Sequence, residues 1–148
     1  MAQETFKATA KYTGEGLAVE TESRGFKLIL DEPKELGGTN KGMNPVEVLL
    51  CGLGACQTIV AKAFAPKFGI DLRGFWIELE GDLDTRGFKG KAGVKPGFSE
   101  IRYKMHMATD AAPEKVEEFA AFIEKTCPVG DTIATPVPMV STGVVIEN

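Results

Sequence analysis

The chain has 148 residues, is 43% hydrophobic and 26% charged, and carries a net charge of −4. Such a composition is ordinary for a globular chain, and the length suits a single domain over residues 1–148. No basic stripe with interleaved aromatics accompanies the acidic balance, which argues against nucleic acid as a partner, because phosphate binding needs clustered Lys and Arg.

The N-terminus MAQETFKATAKY lacks the apolar core of a secretory signal, so a cytoplasmic protein with free thiols is expected. Three cysteines, one histidine and no CxxC do not supply four tetrahedral ligands at workable spacing. No metal and no cofactor is therefore expected.

In chain order, Phe6, Ala8, Ala10 and Tyr12 alternate with polar residues, the period of a half-buried strand. Leu17 to Glu22 and Phe26 to Leu30 read as the next two strands of an antiparallel meander. The loop LGGTNKGMNP, Leu36 to Pro45, has neither GK[ST] nor GxGxxG and reads as a flexible connection rather than a phosphate cradle. Asn44 as N-cap, Pro45 at the first helical position and Glu47 at the third predict a capping box. The helix that follows, to Phe64, is apolar almost all round and should be buried on most sides. Its length prompts a membrane reading, but Glu47, Gln57 and Lys62 within it favour a soluble core helix with no membrane partner. The small residues Gly52, Gly54 and Ala55 before Cys56 fit close approach by another element, or room for a ligand.

Leu72 to Leu83 is strand-like, and Asp84 to Gly97 reads as a long exposed connection. In Ile101 to Met107, Ile101, Tyr103, Met105 and Met107 share one face of a strand. His106 falls on the other, solvated face with no evident carboxylate to orient it, and is read as outside the chemistry. From Pro113, the residues Val116, Phe119, Ala120, Ile123 and Cys127 form one apolar helical stripe that turns Cys127 toward the core. Pro128 ends that helix. A short further turn, Pro128 to Ala134, can use Cys127 as its N-cap, where terminal N–H groups favour a thiolate. Met139 to Ile146 reads as a closing strand.

A buried cysteine most often acts as a small hydrophobe. Cys51 is read that way, since it lies about 140° around the helix from position 56 and shares no face with it. For Cys56 and Cys127, set in GLGACQT and KTCPVGDT, spacing alone leaves core packing and a functional dithiol both open.

Three strings, LDEPKELGGTNKGMNPVEVLL, GLGACQT and TCPVGDTI, together with the order of elements, resemble the OsmC/Ohr family of small thiol-dependent hydroperoxide reductases. The resemblance implies an α+β fold, with antiparallel sheets wrapped around long central helices in an intertwined homodimer. It implies Cys56 as the peroxidatic thiol and Cys127 as the resolving one. Organic, fatty-acid type hydroperoxides would be reduced to alcohols through a Cys56 sulfenic acid and a Cys56–Cys127 disulfide. An external dithiol reductant of lipoyl type would then restore the thiols.

In the best-understood hydroperoxide reductases of that family a glutamate directly follows the helix-opening proline and works with an arginine from the early strands, whereas other OsmC-like proteins carry a Pro-x-Glu spacing. Here Val46 follows Pro45, and Glu47 comes one later, about 100° further around the helix. Glu47 is about 13 Å along the helix from Cys56 and on the opposite face. It either caps the helix or serves the thiol from the partner subunit. Arg24, alone before the helix, is the one candidate for the early arginine. These departures support a second reading, an OsmC-like small-ligand-binding or redox-sensing protein without significant turnover.

Overall fold

The computed structural model describes residues 2–148. Its elements are β1 (Thr9–Tyr12), β2 (Val19–Ser23), β3 (Phe26–Leu30), α1 (Pro45–Phe64), β4 (Gly74–Asp82), α2 (Thr85–Phe88), β5 (Glu100–Ala108), α3 (Pro113–Thr126) and α4 (Pro128–Ala134). The architecture is α+β with antiparallel sheets, as expected. Two compact units divide the chain within α1, the first ending at Cys51 and the second starting at Gly52.

In the first unit β1, β2 and β3 form the meander, with Tyr12 opposite Val19 and Val19 opposite Leu30. The β2–β3 turn closes on Arg24 and Gly25, at φ of 52° and 87°. Two such residues suit the twist of a tight hairpin, Gly25 without steric cost. β1 does not become the half-buried strand that its alternation suggests: it begins at Thr9 and is exposed along its length. Alternation selects a face, but nothing among the described residues covers it.

The glycine-rich connection is not a slack spacer. It wraps around Asp31, 2% exposed, whose carboxylate accepts from the Glu32, Thr39 and Lys41 N–H groups at 2.8, 3.2 and 3.1 Å and from the Thr39 hydroxyl. Gly38 and Gly42 run so close to the Glu32 and Ile29 backbone carbonyls that a Cβ on either would overlap them. The Thr39 hydroxyl first, and then the N–H donors against the opposing cost of burial, hold the Asp31 carboxyl below the ordinary carboxylate range. A carboxylate lowered on folding stabilises the fold above its unfolded value, near pH 4, and that contribution fades as pH falls toward the folded value. Urea midpoints should therefore drop on acidification below about pH 4 more steeply in the wild type than in Asp31→Asn. Parallel curves would remove this role.

In the second unit β4 and β5 form an antiparallel ribbon, with Leu79 opposite Tyr103 and Trp76 opposite His106. Phe75, Met105 and Met107 pack on a cluster that includes Val60, Ala61, Ile70, Leu72, Phe119 and Ile123. The α3 stripe is as the spacing predicts, with Phe119 and Ile123 both 0% exposed. Phe119 packs its ring on Phe68 at 5.0 Å. Phe119→Ala should cost about 3–5 kcal/mol in denaturant unfolding, since the cavity would open in a filled core.

α1 is less enclosed than its composition suggests. Its buried residues Leu53, Gly54, Gln57, Val60 and Ala61 make one stripe, while Leu49 and Ile59 are exposed. A Cβ on Gly54 would meet Leu79 at 2.7 Å and Ile77 at 3.2 Å, so the missing side chain lets α1 lie directly on β4. The connection after β4 holds the short α2, capped by Asp84, whose side chain accepts from the Arg86 N–H at 3.0 Å. The closing strand expected over Met139 to Ile146 does not form: this segment has no regular structure and is exposed. Alternating apolar residues make a strand only where an edge accepts them, and here the segment has paired with none.

Candidate functional site: a dithiol at the α1–α3 contact

Cys56 follows Leu53 by one turn on the buried stripe of α1 and is half-buried, with a free thiol. Cys127 is also free and 0% exposed. It ends α3 and caps α4 with extended backbone, at φ −69° and ψ 112°. Pro128 disfavours helical backbone at that position, which puts the break there. The Gly130 N–H donates to Cys127 Sγ at 3.3 Å. The spot where a Gly130 Cβ would stand lies 3.5 Å from that sulfur and 3.6 Å from Leu53 Cδ1, so the first turn of α4 fits against both. At this junction the Cys56 thiol lies near enough to Cys127 to act on its ionisation.

Burial first, and then the neighbouring Cys56 thiol, push the Cys127 thiol above its ordinary value, while the Gly130 and Val129 N–H groups pull it down. The expected thiolate at the α4 N-terminus is thus reversed, because two amide donors do not offset the loss of water around a fully covered sulfur. N-Ethylmaleimide at pH 8 should label Cys127 far more slowly than an unfolded thiol, with the rate recovering only as pH rises further. Peptide mass mapping reads this directly, and rapid labelling at pH 8 would contradict it.

Cys51, read as a core residue, is instead exposed, and its thiol donates to Met43 Sδ at 3.8 Å. Its position falls outside the buried stripe of α1. Glu47 makes the full capping box: Glu47 Oε2 accepts from Asn44 N–H at 2.8 Å, and Asn44 Oδ1 accepts from Glu47 N–H at 2.9 Å. Arg24 sits at the hairpin turn with its guanidinium 5.3 Å from the Phe26 ring centre. The arginines of the second unit are held by carboxylates: Arg73 by Asp110, Arg86 by Asp84, and Arg102 by Asp82, Glu80 and Glu100. His106 does have a carboxylate partner, Glu78 at 2.7 Å, and stacks on Trp76 with ring centres 3.9 Å apart. The diagonal cross-strand position of Glu78, two residues beyond the register partner Trp76, makes this contact. Two surface hollows of about 420 and 450 Å³ lie on the β4–β5 ribbon, and neither is lined by a cysteine.

Sequence reasoning missed a polar group beside the thiols. Gln57, next to Cys56, is 2% exposed, and its Oε1 has no hydrogen-bond partner among the described residues. Gln57 and the Glu124 carboxylate both lie near enough to the Tyr103 phenol to act on its ionisation. Partial burial first, and then Glu124, push the Tyr103 phenol up, with Gln57 opposing. The available signal was that Gln57 is the one polar side chain on the buried stripe of α1.

Two neighbouring free thiols, one partly open and one closed, thus stand on the helices of an α+β fold. Residues 38–142 match the OsmC family, described as OsmC-like protein. The chain is 31% identical over 117 residues to the hydroperoxide reductase of Mycoplasma genitalium, covering 78% of each chain. It is 29% identical over 109 residues to the hydroperoxide reductase of Mycoplasma pneumoniae, covering 73% of this chain and 72% of that one. The crystal structure of an OsmC like protein from Mycoplasma pneumoniae aligns with a TM-score of 0.78 over 91% of each chain, at 26% identity. The chain belongs to the OsmC-like family.

Proposed function

We propose that the protein is a cysteine-based peroxidase that reduces organic hydroperoxides to alcohols. The observation that carries this reading is a half-buried Cys56 thiol and a buried Cys127 thiol, both free and near enough for one to act on the ionisation of the other. The names of the two Mycoplasma relatives support it. The Cys56 thiolate attacks one peroxide oxygen and the O–O bond breaks. The products are a Cys56 sulfenic acid and an alkoxide, which takes a proton to leave as the alcohol. Cys127 keeps its proton until that point. Its sulfur then displaces the sulfenic hydroxyl, which leaves as water with the Cys127 proton, and the Cys56–Cys127 disulfide forms. An external dithiol of lipoyl type reduces the disulfide and is itself oxidised. Leu53 beside the thiols favours alkyl peroxides over hydrogen peroxide, because each buried CH2 contributes about 0.8 kcal/mol.

A homodimer is part of this reading. Only 33% of the apolar window of α1 is buried in one chain, and Ile59, Val144 and Ile146 are exposed. A second copy is the cover that such a surface calls for. The test is consumption of cumene hydroperoxide with dihydrolipoamide or dithiothreitol, with thiols counted in parallel. Loss of two thiols per chain and sustained turnover support the peroxidase. Stoichiometric thiol loss without turnover supports the sensing alternative, which gains from the engagement of Glu47 in helix capping.

A further inference from the structure

The connection between β4 and β5 carries a charge opposite to that of the chain as a whole. Residues 85–99, TRGFKGKAGVKPGFS, contain Arg86, Lys89, Lys91 and Lys95 and no acidic residue, whereas the net charge of the chain is −4. The segment is built rather than slack. The Gly87 N–H donates to the Asp84 carbonyl, the Lys91 N–H to the Arg86 carbonyl and the Ser99 N–H to the Asp82 carbonyl, at 3.0, 3.0 and 2.8 Å. A Cβ on Gly87 would overlap the Lys95 carbonyl oxygen at 2.5 Å, so the two halves of the connection lie against each other. The Phe98 ring in turn lies against Gly81 of β4. Outside this frame stand Lys89, Lys91 and Lys95, all exposed, and among the described residues no carboxylate pairs with them. Phe88, beside Lys89, is 71% exposed. Arg86 is turned onto Asp84, its Nε donating to Oδ1 at 2.9 Å. The other carboxylates at the base, Glu80, Asp82 and Glu100, are engaged by Arg102.

We propose that this connection docks on an anionic lipid surface, with Phe88 entering the boundary between headgroups and acyl chains and Lys89, Lys91 and Lys95 reaching lipid phosphates. The composition favours lipid over an acidic protein. The free cations are all lysines, point charges on flexible stems that meet phosphates at any spacing. A protein partner is matched better by the fixed fork of arginine, and Arg86 is already held. An exposed aromatic among cations is also the make-up of an interfacial anchor, which needs both an apolar and an electrostatic contribution. The acidic remainder of the chain is repelled by such a surface, which leaves this connection as the side that approaches. The contact is peripheral and does not involve α1 crossing the bilayer. It stands apart from the thiol chemistry; combined with the peroxidase reading, docking brings the thiols to hydroperoxides carried on acyl chains.

The test is co-sedimentation of the full chain with vesicles free of peroxide, so its outcome does not depend on turnover. Binding is expected to phosphatidylcholine vesicles that carry about 30% phosphatidylserine, and not to phosphatidylcholine alone. Raising the salt from about 0.05 to about 0.5 M should release the chain, because the charges are then screened. Lys89→Gln, Lys91→Gln and Lys95→Gln together should weaken partition by about a hundredfold, each lysine near the surface counting for about fivefold. Phe88→Ser should weaken it by about tenfold through lost apolar burial. Lys7→Gln with Lys11→Gln, equally exposed but outside the connection, should bind as the wild type does. All the substituted side chains are exposed, so the fold should survive; if the triple variant does not fold, Phe88→Ser decides by itself. A wild-type chain that leaves anionic vesicles unbound overturns the proposal, as does binding that the Phe88 and lysine variants keep. A chain held by polyglutamate but not by anionic vesicles overturns it too, and makes the connection a surface for an acidic protein.

Discussion

Cys56→Ser is expected to lower hydroperoxide consumption by roughly a thousandfold or more, to the level of buffer and reductant alone. A serine hydroxyl nearly matches the thiol in size, and Cys56 is only half-buried, so the fold should survive the change. Its chemistry does not survive, because an alcohol is not ionised near neutral pH, while even an ordinary thiol is a few per cent thiolate and far more nucleophilic. Cys51→Ser is the matched control, an exposed thiol on the same helix that should leave consumption intact. Turnover that persists in Cys56→Ser, or disappears in Cys51→Ser, would assign the reaction to another sulfur.

Cys127→Ser should separate the two halves of the cycle. The first turnover is expected at close to the wild-type rate, since Cys56 still attacks and the alcohol still leaves. Repeated turnover with dithiol should fall by about tenfold or more, because the sulfenic acid has lost its partner. With excess peroxide Cys56 should climb to the sulfinic acid, visible by mass as two added oxygens. The variant has a structural reason to fold: serine is a good N-cap, and its hydroxyl can accept the Gly130 N–H that the sulfur now accepts. If Cys56 in this variant stays reduced after peroxide, or the cycle runs on unimpaired, Cys127 is not the resolving thiol.

Local periodicity carried much of the fold. The α3 stripe predicts that Phe119, Ile123 and Cys127 turn inward, and all three are 0% exposed. Asn44, Pro45 and Glu47 predict a capping box, and both of its hydrogen bonds are present. These signals survive because they depend on neighbours within one or two turns. The loop after β3 behaved differently. Nothing in LGGTNKGMNP announces that its glycines pass against the Glu32 and Ile29 carbonyls, or that Asp31 gathers its amides, since the partners come from outside the string. The closing strand failed for a related reason: period two specifies a face but not the edge that must receive it.

For the site, the sequence by itself determined the two thiols and their helical addresses. Cys56 lies on an apolar stripe and Cys127 at a proline-enforced helix end, both consequences of short-range sterics and spacing. Only the tertiary structure decided how they stand to each other and how each is charged. Their closeness needs α1 and α3 packed together, and the closed surroundings of Cys127 overcome the helix N-terminus that would favour a thiolate. It also brought Gln57 to Tyr103 and Glu124, three residues on three elements with no shared motif. Desolvation and contact across elements depend on what surrounds a residue in space, and no local pattern of residues encodes them.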